Sequence, residues 1–167
     1  MSKRAAKALA GAAGVVALAI TTLIQPWEGR ELKAYRDIVG VWTICDGETK
    51  GVKPGMAKTN AQCDAMLLKR VENDFYRPLT KCIANYTGLP VSLQASLLSA
   101  AYNVGTPTIC GSTAARLARA EQYKASCEAI TRFNRAGGKE IRGLKLRREY
   151  GDANRIGELE LCLEGLK

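Results

Sequence analysis

Charged and apolar positions divide the chain sharply at its start. Lys3, Arg4 and Lys7 precede a charge-free run from Ala8 to Ile24, 17 residues long. As one helix this run measures about 26 Å, just short of a bilayer core. Read back to Ala5 it has 20 residues, with Lys7 able to snorkel. Ten of the 17 are Ala, Gly or Thr, so insertion into lipid is only weakly favourable. Gln25-Pro26 then marks a junction. Residues 33–58 mix aromatic and β-branched residues with Gly40, Gly47, Gly51, Pro54 and Gly55, which predicts a small antiparallel sheet with tight turns. Behind a Thr59/Asn60 cap, Cys63, Met66, Leu67, Arg70, Val71 and Phe75 recur at helical spacing. Gly88-Leu89-Pro90 breaks the chain. Ser92 to Val104 is apolar nearly all round, which predicts a buried central helix stopped by Gly105. Further helices are expected near 113–120, 122–135, 139–150 and 153–165, punctuated by Gly137-Gly138 and Gly151. The expected class is α+β, mainly helical: a small β-containing lobe, a larger helical lobe and a cleft between them.

Length and composition narrow the chemistry. A chain of 167 residues suits one domain with a sizeable core. Its 25 Lys plus Arg against 16 Asp plus Glu favour an anionic partner such as nucleic acid, lipid headgroups or a bacterial wall, and charge alone does not choose among them. There is no histidine. That removes Ser-His-Asp and Cys-His triads and the usual histidine-bearing zinc sites of hydrolases. Six cysteines, Cys45, Cys63, Cys82, Cys110, Cys127 and Cys162, include no C-x-x-C pair. An even, dispersed set points to three disulfides and an oxidising compartment rather than to a metal site.

The N-terminus admits three readings. A cleaved signal peptide needs a small-residue cleavage site, and Thr-Thr-Leu-Ile-Gln-Pro-Trp is a poor one. A permanent anchor needs more Leu, Ile and Phe. A marginal anchor, which inserts with its basic flank in the cytoplasm and later leaves the bilayer, suits the composition best. A released segment of this kind would serve as a buried, Ala-rich first helix.

Candidate chemistry lies just beyond. Glu28 is followed by eight residues, then Asp37, then five residues, then Thr43. Two carboxylates and a hydroxyl at a helix end and a β-turn can meet in one cleft. One carboxyl can protonate a glycosidic oxygen while the other, with the hydroxyl, holds and activates water. Trp27 offers Glu28 an apolar neighbour of the kind that suits a general acid. Read singly, the three could equally be a surface Glu, a turn Asp and a strand Thr.

This spacing resembles that of the phage-type lysozymes, glycoside hydrolase family 24, and among them the exported endolysins of lambdoid phages with a signal-anchor-release segment. Ser99-Ala-Ala-Tyr-Asn-Val-Gly105 and the stretch Phe133 to Glu149 also resemble family segments, so the likeness runs from about Trp27 nearly to the end. The resemblance implies a lysozyme-like fold and a catalytic set of Glu28 as acid, Asp37 as base or electrostatic stabiliser, and Thr43 as water ligand. It implies sugar contacts from Tyr102 and Asn103. Arg147 or Arg148 is left to pair with Glu28 or substrate, or to sit on a solvated basic face. It also suggests the disulfides Cys45–Cys63 and Cys127–Cys162, which leaves Cys82 with Cys110. Where many relatives carry a His after the Thr, this chain reads Cys45-Asp46-Gly47-Glu48, which puts two further acids near the cleft.

The expectation is therefore residues 1–24 as a signal-anchor-release segment and 25–167 as a catalytic domain. The enzyme would be an inverting muramidase cutting the β-1,4 bond between N-acetylmuramic acid and N-acetylglucosamine, with no metal and no organic cofactor. Its partners would be peptidoglycan strands and, before release, the inner membrane, with no nucleic acid, and it would act as a periplasmic monomer. Two rivals remain: a lytic transglycosylase, and a non-catalytic wall-binding or membrane-active basic protein.

Overall fold

Ser2 opens the first helix by accepting the Ala5 N–H on its side chain (3.3 Å). The computed structural model describes residues 2–11 and 14–167; Met1, Ala12 and Ala13 lie outside the described residues. The run expected as one helix is divided: α1 (Lys3–Ala10) is capped at Gly11, and α2 (Val15–Leu18) starts after Gly14, whose φ is 144°. A π-helical turn, Ala19–Ile24, completes the segment. Leu18, Leu23 and Ile24 are fully buried. Each contributes about 1.5–3 kcal/mol by leaving water, so this segment is part of the core. Among the described residues no helix is long and apolar enough to cross a membrane.

The small lobe is a two-stranded antiparallel sheet of β1 (Glu31–Arg36) and β2 (Trp42–Cys45). Tyr35 stands opposite Thr43 and Arg36 opposite Trp42. Ile44, Cys45 and Cys63 form its own core with Leu32, Ala34, Val52, Met56 and Met66. A capping box follows: Thr59 accepts from the Gln62 N–H (3.2 Å), and the Gln62 side chain accepts from the Thr59 N–H (2.9 Å). From there α3 (Asn60–Arg70), a π-helical stretch (Val71–Tyr76) and α4 (Arg77–Cys82) run on without a break.

The large lobe surrounds α5 (Val91–Val104), in which every residue from Ser92 to Ala101 is buried. Gly105, at φ 91°, ends it as expected. A short α6 (Thr106–Cys110), not foreseen, follows, with Pro107 in its first turn where a missing N–H costs nothing. Next come α7 (Thr113–Arg119), α8 (Tyr123–Ile130), α9 (Arg142–Arg148) and α10 (Glu158–Glu164). The last helices are shorter than the pattern suggested. Gly137 and Gly138, both at positive φ, turn a hairpin of β3 (Arg135–Ala136) and β4 (Lys139–Glu140) into the space assigned to helix ends.

Disulfides join Cys45 to Cys63, Cys82 to Cys110 and Cys127 to Cys162, with S–S distances of 2.04, 2.05 and 2.08 Å. They close spans of 18, 28 and 35 residues. In a chain-entropy account each adds about 3–4 kcal/mol.

The basic flank is also held by charge. Arg4 forks onto Glu160 (2.8 and 2.7 Å) and donates to the Asp152 and Tyr150 carbonyls (2.6 and 2.9 Å). Burial opposes the Glu160 carboxylate, but hydrogen bonds from Arg4 and Ser2 outweigh it and bring its pKa below the ordinary glutamate value. A depressed folded pKa contributes stability that is complete above the unfolded value and is lost as pH falls through the folded one. Glu160→Gln should therefore lower stability at neutral pH by about 1 kcal/mol, or about 2–4 °C in Tm. The gap from the parent should narrow as pH falls below the ordinary glutamate range and close once the folded carboxyl is protonated. A thermal-melt series over pH checks both the size and the sign.

Candidate active site

Glu28 sits where the N-terminal segment turns into the small lobe. Its own N–H and that of Trp27 bond the Ile24 carbonyl (3.1 and 3.0 Å), so it leaves the π-helical turn in a set direction. Trp27 is pinned on both counts: its indole N–H donates to the Ile156 carbonyl (2.9 Å), and the Arg155 guanidinium lies 3.9 Å over its ring. The sequence suggested Trp27 as the neighbour of the acid. The indole is engaged by the 149–157 loop, and the polar contact of the Glu28 carboxylate is Arg147, whose Nη1 lies 2.7 Å from Oε1. The Glu28 side chain is 25% exposed and that of Arg147 5%. A depression of about 460 Å³ opens beside them, lined by Glu28, Gly29, Glu31, Tyr35 and Gly47.

Asp37 lies at the turn of the β-hairpin. Its Oδ1 accepts the N–H groups of Val39 (3.0 Å) and Val41 (2.8 Å), an Asx-type arrangement that closes the turn together with Gly40 at φ 82°. Its Oδ2 takes no hydrogen bond from the described residues. Thr43 is buried, and its hydroxyl gives its proton to the Val41 carbonyl (3.1 Å), which leaves the oxygen as an acceptor. Thus Asp37 and Thr43 share the hairpin whose β1 residues Glu31 and Tyr35 line the depression with Glu28, although neither of them is in that lining.

Tyr102 and Asn103 end α5, as expected, and each has a partner. The Tyr102 hydroxyl donates to the Asp46 carbonyl (2.7 Å), and its ring packs on Phe75 and under Arg70. Burial pushes its phenol up to about 12, with Glu28 and Asp46 adding to the rise and Arg70 and Arg147 opposing it. It therefore stays a donor at any physiological pH. The Asn103 amide oxygen accepts from Arg148. The two extra acids are both compensated. Asp46 is forked by Arg30 (3.1 and 2.7 Å), and Glu48 lies 4.0 Å from Arg70 and accepts the Thr49 and Lys50 N–H groups.

Several residues around the acid were not legible in the sequence. Glu158, at the first position of α10, is completely buried; its Oε1 accepts from Ser99 (2.7 Å) and from Arg148. Arg148, also completely buried, donates in addition to the Phe133 carbonyl (3.1 Å). An acid in the first turn of a helix is so common a pattern that nothing marked Glu158 out. Glu31 and Tyr35 read as ordinary strand residues.

This geometry can be set beside known proteins. Residues 25–150 match the family described as phage lysozyme. A SAR-endolysin of Enterobacteria phage P21 is 35% identical over 170 residues, covering 98% of this chain and 97% of that protein. The active form of the P1 phage endolysin Lyz superposes with a TM-score of 0.74 at 29% identity, over 87% of this chain and 83% of that one. The secreted inactive form of the same endolysin gives 0.50 at 26%, over 71% and 77%. With an acid beside an arginine at the start of the small lobe, these likenesses over most of its length show that the chain belongs to the phage lysozyme family.

Proposed function

We propose that this protein is an exported phage endolysin, a muramidase that hydrolyses the β-1,4 bond between N-acetylmuramic acid and N-acetylglucosamine and so lyses the host. The observation that carries the reading is the Glu28–Arg147 pair at the edge of a depression walled by the hairpin of Asp37 and Thr43. Arg147 occupies Oε1 of Glu28, leaving Oε2 to carry the transferable proton. That proton passes to the glycosidic oxygen as the anomeric C–O bond breaks, and the leaving sugar departs with a free hydroxyl. A water held by two acceptors, the free Oδ2 of Asp37 and Oγ1 of Thr43, has both its hydrogens engaged and a lone pair free to attack. Its oxygen bonds to the anomeric carbon from the opposite face, its proton goes to Asp37, and the product is inverted. Neither a metal nor an organic cofactor is needed. In this reading Tyr102 and Asn103, at the end of α5, contact the sugar. The protein works as a monomer and without nucleic acid; its basic surface faces the wall and membrane.

Residues 1–24 have a second role in this reading. They first tether the protein to the inner membrane and later leave it, and residues 25–167 act in the periplasm. Gln25, Pro26 and Trp27 separate Ile24 from Glu28, and four extended residues reach at most roughly 13–14 Å. Leu18, Leu23 and Ile24 cannot be in lipid and in the protein core at once. The tethered form therefore lacks part of its core and the helix end that aims Glu28. The fold described above corresponds to the released form, in keeping with its likeness to the active form of the P1 endolysin.

Glu28→Gln should keep the fold and lose peptidoglycan hydrolysis by about 10²–10⁴-fold or more, with Asp37→Asn costing less; turbidity clearing by the purified variants measures both. Near-parental rates in the two would remove the assignment and favour the non-catalytic rival. The first-formed product should be the inverted anomer, read by proton NMR. An anhydro-sugar in the mass spectrum would instead mean a transglycosylase. Leucine at Gly11 and Gly14 should hold the protein in the membrane, exported but non-lytic. It makes the run more apolar, and at Gly14 it adds a side chain where φ is 144° and so strains the packed form. Fractionation and lysis timing would show it, and parental lysis by this variant would refute the release mechanism.

A further inference from the structure

Arg147 has more donors than partners. Its Nη1 is on Glu28, while Nε and Nη2 have no hydrogen-bond acceptor among the described residues. A guanidinium does not give up its proton, so at 5% exposure it requires a counter-charge at all times. Glu28 supplies one only while ionised. In the form that is ready to react, Glu28 carries the proton and that counter-charge is gone. The other carboxylate within ion-pair distance of Arg147, among the described residues, is Glu158, with Oε1 3.7 Å from Nε.

Glu158 is set among cations and donors. It is wholly enclosed, its Oε1 is shared by Arg148 and the Ser99 hydroxyl, and its Oε2 takes no hydrogen bond from the described residues. Arg147 and Glu158 thus each keep unmatched polar atoms while their charged groups approach to 3.7 Å. Its position is also held firmly. The chain between α9 and α10 is folded so tightly that a Cβ on Gly151 would stand 1.9 Å from the Arg155 carbonyl oxygen, and one on Gly157 2.2 Å from that of Glu149. Those contacts bring the first residue of α10 beneath the arginines that end α9. The Ser96 hydroxyl fixes the Glu158 carbonyl from α5 (3.0 Å).

We infer that Glu158 is a positioning residue for the hydrolysis: it is the second, enclosed counter-charge that keeps Arg147 beside Glu28 through both protonation states of the acid. The inference rests on Glu28 being that acid. When Glu28 is protonated, Arg147 leans on Glu158; when the proton has gone to the leaving sugar, Arg147 stabilises the new carboxylate without having had to travel.

The competing role for Glu158 is simply to neutralise Arg148, and a charge-balanced variant separates the two. Glu158→Gln with Arg148→Met removes one charge of each sign. If Glu158 acts through Arg147, the purified double variant should fold by circular dichroism yet lose about 10–100-fold in kcat on soluble peptidoglycan fragments, with KM changed by less than about twofold. Recovery of the parental kcat would overturn the proposal. Should the double variant not fold, Ser99→Ala decides. It loosens Oε1 of Glu158 without altering charge, and it should lower kcat about threefold or more at unchanged KM; an unchanged kcat would overturn the proposal. The parent and Glu28→Gln are run alongside. An inactive parent, or an active Glu28→Gln, would strike the muramidase reading itself rather than the role of Glu158.

Discussion

A helix buried on every side has to be covered from every side, and α5 imposes that demand on the whole protein. Ser92 through Ala101 are buried without interruption. The cover comes from α10, α8, α6, the π-helical stretch at Val71–Tyr76 and the N-terminal segment at Val15–Ile24. The polar residues of α5 do not escape to solvent. Ser92, Ser96 and Ser99 each donate to a group on α10, and Gln94 reaches back to the Leu89 carbonyl (2.7 Å). These bonds set α10 against α5 in one register, which in turn sets Glu158.

That register is what organises charge at the cleft. Glu28, Arg147, Glu158 and Arg148 alternate in sign, and three of the four are nearly or completely inaccessible. Isolated, any of them would be very costly to bury; together they sum to zero. The small lobe has paired charges of its own, Arg30 with Asp46 and Arg70 with Glu48. The hairpin is independent of these pairs. Its turn is closed by Asp37 itself, so the residue assigned to chemistry is also the one that shapes the loop presenting it.

The N-terminal segment links this site to location. Its apolar face completes the cover on α5, its Arg4 grips Glu160 and the 149–157 loop, and its end delivers Trp27 to that same loop through Ile156 and Arg155. One loop therefore contacts both ends of the segment and also joins α9 to α10. A weakly apolar sequence is well suited to such a role. It gains enough by burial to dock, and gives up little by leaving lipid.

Much of this was legible in the residues. The charge-free run behind a basic flank, the β-like stretch with its turn glycines, the capped helix at Thr59 and the all-apolar α5 follow from local periodicity and capping, which act over a few residues. The spacing of Glu28, Asp37 and Thr43, read with the segments at Ser99 and Phe133, was enough to indicate the family. What sequence could not convey were contacts between residues far apart in the chain. Arg147 and Arg148 looked interchangeable, yet one meets Glu28 and the other Glu158 and Asn103, because successive residues of a helix point about a quarter-turn or more apart. Asp46 and Glu48 read as loose acids until Arg30 and Arg70 arrived from elsewhere. Glu158 carried no signal at all, since its burial depends on two glycines eight or fewer positions before it and on serines from α5. Local propensity determined the elements and which residues could do chemistry; tertiary packing alone decided which charge neutralises which, because that depends on distances through space that no short stretch of sequence contains.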